Sequence, residues 1–359
     1  MKKTINVIQY GLGNVGCRLL ELADDLNNSS QDLKIKYVAA AELEGAIINP
    51  EGIDIKALIN AKKTNSLKEF PGFIPGLNNS RLIDTVKNHN IENCVVVDVS
   101  ASEEIISSIV KALDTGYHAV LANKKPISMN YIAYEKLNNL SKRNKVKLLY
   151  ECTVGAGLPI IYTLQSLVKT CDIVEEINGC FSGTLGYIFS ELEKQKKFSD
   201  IVKNAKELRY TEPDPRDDLS GMDVARKALI LARICGSKLD LQDINIENLV
   251  PEDLRKCSVD EFMSKLEKID SHFFEKSNAA KQKGNTLRYV ATFSNKKLEI
   301  GVREIPLESP LGRLKGPENI CVIRTKRYKT FPLIIQGPGA GVDVTADGVL
   351  RNIIECIEV

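Results

Sequence analysis

Asp223 and Lys227 lie four residues apart in an alanine-rich stretch that reads as a helix continuing through Ile234, with Asp217 or Ser220 as its N-cap. A spacing of four puts both side chains on one helical face. On an exposed helix the pair would be a surface ion pair worth roughly 0.2–0.5 kcal/mol. Met222, Val224, Ala225, Ala228 and Leu229 crowd around it, however, and an ammonium among apolar side chains is costly unless a carboxylate or a substrate meets it. A lysine held in that way can stabilise the negative charge that develops on a carbonyl oxygen during reduction and then give it a proton. Composition alone leaves both readings open. Upstream, Glu212, Asp214, Asp217 and Asp218 make residues 210–218 acidic, and Pro213 and Pro215 stiffen them. Only three histidines exist, His89, His118 and His272, so lysines and carboxylates are the expected proton handlers.

A second chemistry is written near the start. Residues 4–10 form a short apolar strand, followed by Gly11-Leu12-Gly13-Asn14-Val15-Gly16, a helical pattern and a second strand over residues 35–41. Strand, G-x-G-x-x-G, helix and strand make a dinucleotide-binding βαβ unit. Gly11 permits the tight turn, Gly13 lets the backbone approach a pyrophosphate, and Gly16 allows close helix–strand packing. The helix N-terminus then offers N–H groups and partial positive charge to the phosphates. Glu42 closes the second strand, where a carboxylate binds a ribose 2′-OH and disfavours a 2′-phosphate; a solvated loop carboxylate is the competing reading.

Further strands over residues 93–99, 117–121 and 147–150 would carry Ser100, Lys124 and Glu151 just beyond their carboxyl ends, where open parallel sheets take ligands. The expected fold is α/β: a Rossmann domain over residues 1–150, an α+β substrate and dimerisation domain with a mixed sheet over 151–330, and a segment over 331–359 that packs back on the first domain. Strands are expected at 174–181, 287–293, 297–304, 319–325 and 331–335, with 275–284 an exposed helix or connector.

The wording of residues 210–227, Tyr-Thr-Glu-Pro-Asp-Pro-Arg-Asp-Asp-Leu-Ser-Gly-Met-Asp-Val-Ala-Arg-Lys, resembles the signature of homoserine dehydrogenases. The likeness extends to the glycine loop, Ala122-Asn123-Lys124-Lys125, Glu151-Cys152-Thr153-Val154-Gly155-Ala156-Gly157-Leu158-Pro159, Phe181-Ser182-Gly183-Thr184-Leu185 and Gly337-Pro338-Gly339-Ala340-Gly341, and looks closest to the short, fungal-type members. The resemblance implies that Lys227 is the proton donor in aldehyde reduction and that Lys124 is a second catalytic lysine near the nicotinamide of NAD or NADP. It implies that Glu212 and Asp223 bind the substrate and that Asp218 supports the Lys227 network. Gly339 and its neighbours would close over the nucleotide, with Ser100 a further cofactor contact. Glu151, Val154, Ala156 and Leu158 would hold a monovalent cation, sodium being the expected ion, largely through backbone carbonyls. A homodimer is implied too, for which the alternating Leu298, Ile300 and Val302 offer a strand to pair across a two-fold axis. Without the resemblance, residues 154–159 read as a tight connection into a helix and 181–184 as packing, while the backbone amides of 337–341, ahead of a helix start, suit an anion or cofactor edge. The chain departs from the family wording at Arg209, where a glycine is usual, and at Asp98-Val99-Ser100, where Asp-Asn-Thr is usual.

The bulk numbers fit this reading. The 359 residues are 43% hydrophobic and 27% charged, enough apolar material for two domains. A net charge of +2 without like-charge blocks gives no footprint for nucleic acid or an acidic membrane. No apolar run approaches the roughly 18 residues that span a bilayer. Met1-Lys2-Lys3-Thr4 leads into a strand and not an apolar signal segment, and nine scattered cysteines without a C-x-x-C pair read as reduced thiols, so a cytoplasmic location is expected. Nothing precedes the first strand and little follows the last glycine loop, so a monofunctional enzyme without a fused kinase or regulatory domain is expected. The rival readings are another amino-acid or semialdehyde dehydrogenase on this scaffold, and a nucleotide sensor that has lost its chemistry. Aspartate-semialdehyde dehydrogenases need a cysteine nucleophile with a histidine, and no cysteine here has such a setting. A sensor would have no need of Lys124, Glu212, Asp223 and Lys227 together.

Overall fold

Ile5, Val7 and Ile8 are wholly buried, as befits a strand covered by helices on both faces. In the computed structural model, which describes residues 2–357, they belong to β1 (Lys3–Tyr10), the centre of a seven-stranded sheet. Its other strands are β2 (Leu33–Glu42), β3 (Gly45–Ile48), β4 (Phe73–Pro75), β5 (Cys94–Asp98), β6 (His118–Leu121) and β7 (Leu148–Leu149). They lie in the order β4-β3-β2-β1-β5-β6-β7. β2, β1, β5, β6 and β7 run parallel, and β3 and β4 are added antiparallel at one edge. The strand order reverses at β1, so the crevice beyond β1 and β5 is the topological switch point of the sheet. β3 and β4 are absent from the sequence reading because three or four residues are too few to display a period.

The helix Asn14–Ser29 follows the glycine turn and buries Gly16, Leu19, Leu20 and Ala23. Ala346, Val349 and Ile353 of the last helix, Val342–Glu355, join the same core. Lysines fasten the carboxyl end of this last helix. Lys147 Nζ donates to the Glu355 carbonyl at 2.5 Å, and Lys3 Nζ donates to the Ile357 carbonyl, each placing a cation at the negative end of the helix dipole.

The second unit has a six-stranded sheet of β8 (Val174–Cys180), β9 (Asn245–Ile246), β10 (Asn285–Ser294), β11 (Lys297–Pro306), β12 (Glu318–Thr325) and β13 (Leu333–Pro338). The order is β13-β12-β8-β10-β11-β9, antiparallel throughout except for the short β11–β9 pairing, so the sheet is mixed. Leu298 and Ile300 alternate along β11 because they face the core, where both are buried. Of two readings, an exposed helix and a connector, residues 275–284 take the helix. They fall mostly in the helix Asp270–Gln282, which buries Phe273, Ser277 and Ala280 and stacks Phe273 on Phe198 with ring centroids 4.2 Å apart.

The first unit runs through Gly157 and resumes at Ala340; the second is Leu158–Gly339. The sequence reading set these divisions at 150/151 and 330/331. Residues 151–157 stay with the first unit because the Glu151 N–H donates to Asn352 Oδ1 (3.2 Å) and Arg351 Nη2 donates to the Gly157 carbonyl (2.5 Å). β13 stays with the second because it is laddered to β12. Among the described residues no helix is long and apolar enough to cross a membrane, and all nine cysteines are free.

Candidate active site

Each glycine of the first turn has a separate geometric reason. Gly11 has φ of 100°, and a Cβ there would lie 3.0 Å from the Ser100 nitrogen. A Cβ on Gly16 would lie 2.2 Å from the Gly11 carbonyl oxygen, so helix and strand touch backbone to backbone. Gly13 has nothing within 4 Å of its would-be Cβ, and as N-cap it makes no side-chain capping bond. No side chain at Gly13 stands between the helix start and a ligand, and a helix N-terminus offers its first-turn N–H groups to a pyrophosphate. A cavity of about 490 Å³ lies there, lined by Gly11, Leu12, Gly13, Glu42, Lys62 and Ser100 among others. Asn14, Val15 and Gly16 do not line it; they open the helix behind the turn.

Glu42 ends β2 at the cavity wall, and Lys62 Nζ donates to both of its carboxylate oxygens at 2.7 Å. Lys62 was invisible to motif reasoning, because the helix that carries it, Ile55–Lys63, bears no signal of its own. Beyond β5, the N–H and Oγ of Ser100 donate to Asp98 Oδ1 at 2.9 and 2.7 Å. Burial pushes the Asp98 carboxyl up to about 6, against the opposing effect of the Ser100 bonds. Asn123 Nδ2 donates to the Ser102 carbonyl (2.8 Å), tying the loop after β6 to the loop after β5. Lys124 follows it as N-cap of the short helix Lys125–Ser128. Glu151, 6% exposed, stands after β7. Gly11, Ser100, Lys124 and Glu151 thus all lie at the carboxyl edge of one sheet.

The loop after Glu151 passes through two left-handed residues, Gly155 (φ 77°) and Ala156 (φ 53°), while Val154 is wholly buried. Among the described residues no three His, Cys, Asp or Glu side chains gather in a way that could hold a metal ion. A cation at residues 151–158 would depend on backbone carbonyls.

In the second unit, Lys227 lies on the helix Met222–Ile234 with only 12% of its side chain exposed. Its ammonium meets Asp223 Oδ2 at 2.7 Å and donates to the Phe181 carbonyl at 2.7 Å. Those contacts use two of its three N–H donors. The N-cap of this helix is Gly221, neither Asp217 nor Ser220, because a separate short helix, Pro215–Leu219, ends just before it. Gly221 is left-handed, and a Cβ there would lie 1.9 Å from the Tyr289 hydroxyl.

Asp218 accepts the Glu212 N–H at 2.8 Å and lies 2.9 Å from Thr184 Oγ1. Burial raises its pKa, the Glu212 and Thr184 bonds lower it, and the nearby carboxylates of Glu212 and Asp223 raise it further. Glu212 itself is exposed, its main chain held by Asp218. Thr184 and the Phe181 carbonyl belong to a segment the residues alone read as packing; a main-chain acceptor leaves no mark in sequence. Arg209 has φ of 58° and closes the helix Phe198–Glu207, with Arg209 N–H bonded to the Lys206 carbonyl and Tyr210 N–H to the Ala205 carbonyl. This is a Schellman motif, and it explains why a glycine suits the position. Gly339 lies beyond β13, where a Cβ would fall 1.8 Å from Asn319 Cγ.

The first unit has the parallel sheet and glycine turn of a dinucleotide-binding domain, and the second carries a carboxylate-held lysine. The profile described as homoserine dehydrogenase matches residues 159–354, and that of the homoserine dehydrogenase NAD binding domain matches residues 11–151. The chain belongs to the homoserine dehydrogenase family. It is 40% identical, over 96% of its length, to the chloroplastic bifunctional aspartokinase/homoserine dehydrogenase 2 of Arabidopsis thaliana, and spans 37% of that protein. The bifunctional protein of Haemophilus influenzae is 34% identical over 99% of the chain, which spans 43% of that relative. A crystal structure of a Candida auris protein of unknown function superposes with a TM-score of 0.90 at 35% identity, covering 99% of this chain and 98% of that one. A hyperthermophilic archaeal homoserine dehydrogenase in complex with NADPH gives 0.77 at 26% identity, covering 99% and 98%.

Proposed function

We propose that the protein is a homoserine dehydrogenase, which reduces L-aspartate 4-semialdehyde to L-homoserine and catalyses the reverse, in the synthesis of threonine, methionine and isoleucine. The observation that carries this is the largely enclosed Lys227 ammonium between Asp223 and the Phe181 carbonyl, with Asp223 within electrostatic reach of Asp218, which holds the Glu212 main chain. A nicotinamide cofactor held at the first unit's glycine turn would supply or accept the hydride. Lys227 points its remaining N–H at the carbonyl oxygen, stabilises the developing alkoxide and transfers the proton. Glu212 and Asp223 hold the amino group and hydroxyl end of the substrate, which fixes the reacting carbon. Asp218 positions Glu212 through its main chain. Lys124 is the second catalytic lysine, close to carbonyl and nicotinamide.

The cofactor is held by Gly11, Leu12 and Gly13, with Asn14, Val15 and Gly16 supplying the helix start behind them and Ser100, Lys124 and Gly339 as further contacts. Glu42 favours NAD, and Lys62 beside it keeps NADP within reach. A sodium ion is bound by Glu151, Val154, Ala156 and Leu158; the buried Glu151 and the left-handed turn at Gly155 and Ala156 support this reading. The enzyme works as a homodimer in the cytoplasm, the latter in keeping with nine free thiols.

The test is purified protein given homoserine with NAD or NADP, followed by formation of reduced cofactor. Lys227→Ala is expected to lose activity by about 100-fold or more while its Kd for NADH stays that of the parent. Undiminished turnover in this variant would remove the mechanism.

A further inference from the structure

Gln9 is the next-to-last residue of β1 and is wholly buried in the most enclosed part of the first sheet. Its Nε2 donates to the Gly11 carbonyl at 2.9 Å and to the Gly16 carbonyl at 3.1 Å, the first and last glycines of the turn. Its Oε1 is buried without a protein partner. An orphaned acceptor costs stability that an apolar side chain would not forfeit, so the amide is not explained by packing. Its geometry supplies a reason. A peptide unit is a rigid plane, so holding the Gly11 carbonyl inward turns the Leu12 N–H to the opposite side. Binding the Gly16 carbonyl with the same nitrogen fixes the distance between strand end and helix start. Gly16 is fitted to this arrangement, since a Cβ there would lie 2.9 Å from Gln9 Nε2.

We propose that Gln9 is a positioning residue for the dinucleotide turn, a buried strut that holds the backbone in its pyrophosphate-accepting form and so sets affinity for a nucleoside diphosphate group. This rests on the dinucleotide-binding reading of the first unit and not on the identity of the second substrate.

Gln9→Met keeps the length and burial of the side chain and removes the donor. Titration with NADH and, separately, with ADP is expected to show both Kd values raised about tenfold and by the same factor, because ADP carries the pyrophosphate that the turn holds. In turnover, KM for the cofactor rises while kcat and the KM for homoserine stay near those of the parent, a split that general destabilisation would not produce. The melting temperature is expected to change little, because the variant removes the orphaned Gln9 Oε1 but leaves the Gly11 carbonyl without this donor. Gln9→Asn keeps the amide but is too short to span both carbonyls, and it carries the same expectation should the methionine variant not fold. A folded variant that binds NADH and ADP within twofold of the parent overturns the proposal. So does failure of both variants to fold, which would make Gln9 a structural residue, and so does a parent that binds neither nucleotide. A parent that binds NADH but leaves homoserine untouched sinks the assigned reaction and leaves the strut to be judged on its Kd values.

Discussion

Thr184 Oγ1 lies 2.9 Å from Asp218 Oδ1 and also reaches the Tyr210 carbonyl, two acceptors for one hydroxyl proton. The conflict resolves when Asp218 is protonated, donating to Thr184 while Thr184 donates to Tyr210. Burial and the neighbouring carboxylates of Glu212 and Asp223 raise the Asp218 pKa, against the lowering effect of the Glu212 N–H and Thr184 bonds. A carboxyl whose folded pKa is raised contributes stability that is fully present below its unfolded value near 4 and is lost as pH rises through the folded value. Asp218→Asn imitates the protonated form and is expected to keep the KM for homoserine within about threefold, with a flatter dependence of stability on pH above 4. Asp218→Ala releases the Glu212 main chain and is expected to raise that KM by tenfold or more. Equal KM values for the two variants would dismiss the shared proton.

Cofactor choice is expected to follow the Glu42–Lys62 pair. With the carboxylate in place Lys62 is occupied at 2.7 Å, and its charge is offset. Glu42→Gln frees the ammonium for a 2′-phosphate and is expected to shift the ratio of kcat/KM for NADP over NAD upward by about tenfold. Lys62→Ala should move the same ratio downward. Steady-state kinetics with both nucleotides decides the matter, and a ratio unmoved by either change would clear the pair of any role.

Arg209 is exposed and left-handed at a helix end, where an L side chain costs about 1–2 kcal/mol. Arg209→Gly gives back part of that gain through the freer unfolded chain, so a net stabilisation of about 0.5–1 kcal/mol is expected from urea unfolding. A loss of stability instead would mean that the arginine side chain makes a contact worth more than its strain.

Arg288 is 1% exposed and donates to the carbonyls of Leu311 (3.1 Å), Gly312 (2.7 Å) and Leu314 (2.9 Å) while pairing with Glu193. The loop it gathers meets the helix Gly183–Leu192 through the Gly316 N–H and Ser190 Oγ at 3.0 Å, and that helix carries Thr184. Arg288→Met leaves several buried acceptors and one carboxylate short of partners, and a loss of about 3–5 kcal/mol is expected in equilibrium unfolding. Retained stability would show that water replaces the guanidinium at little cost.

Much of this was written locally. The glycine turn, the parallel strands and the i,i+4 spacing of Asp223 and Lys227 are legible because turn chemistry and periodicity act over a few residues. The short strands β3 and β4 were missed for want of length, and the helix start was set at Asp217 or Ser220 because those are the side chains that cap helices, whereas the glycine that does so, Gly221, offers only its backbone.

What residue types and their order determined is the class of each element and the chemistry it can offer: a dinucleotide turn, an acidic loop, a helix with a lysine. Tertiary structure alone decided who meets whom. That Lys227 finds the carbonyl of Phe181, 46 positions away, that Asp218 answers to Thr184, and that one glutamine braces two glycines depend on backbone groups and side-chain directions that only the packed chain defines. Every residue carries the same main-chain acceptor, so the letters cannot say which one a buried donor will reach.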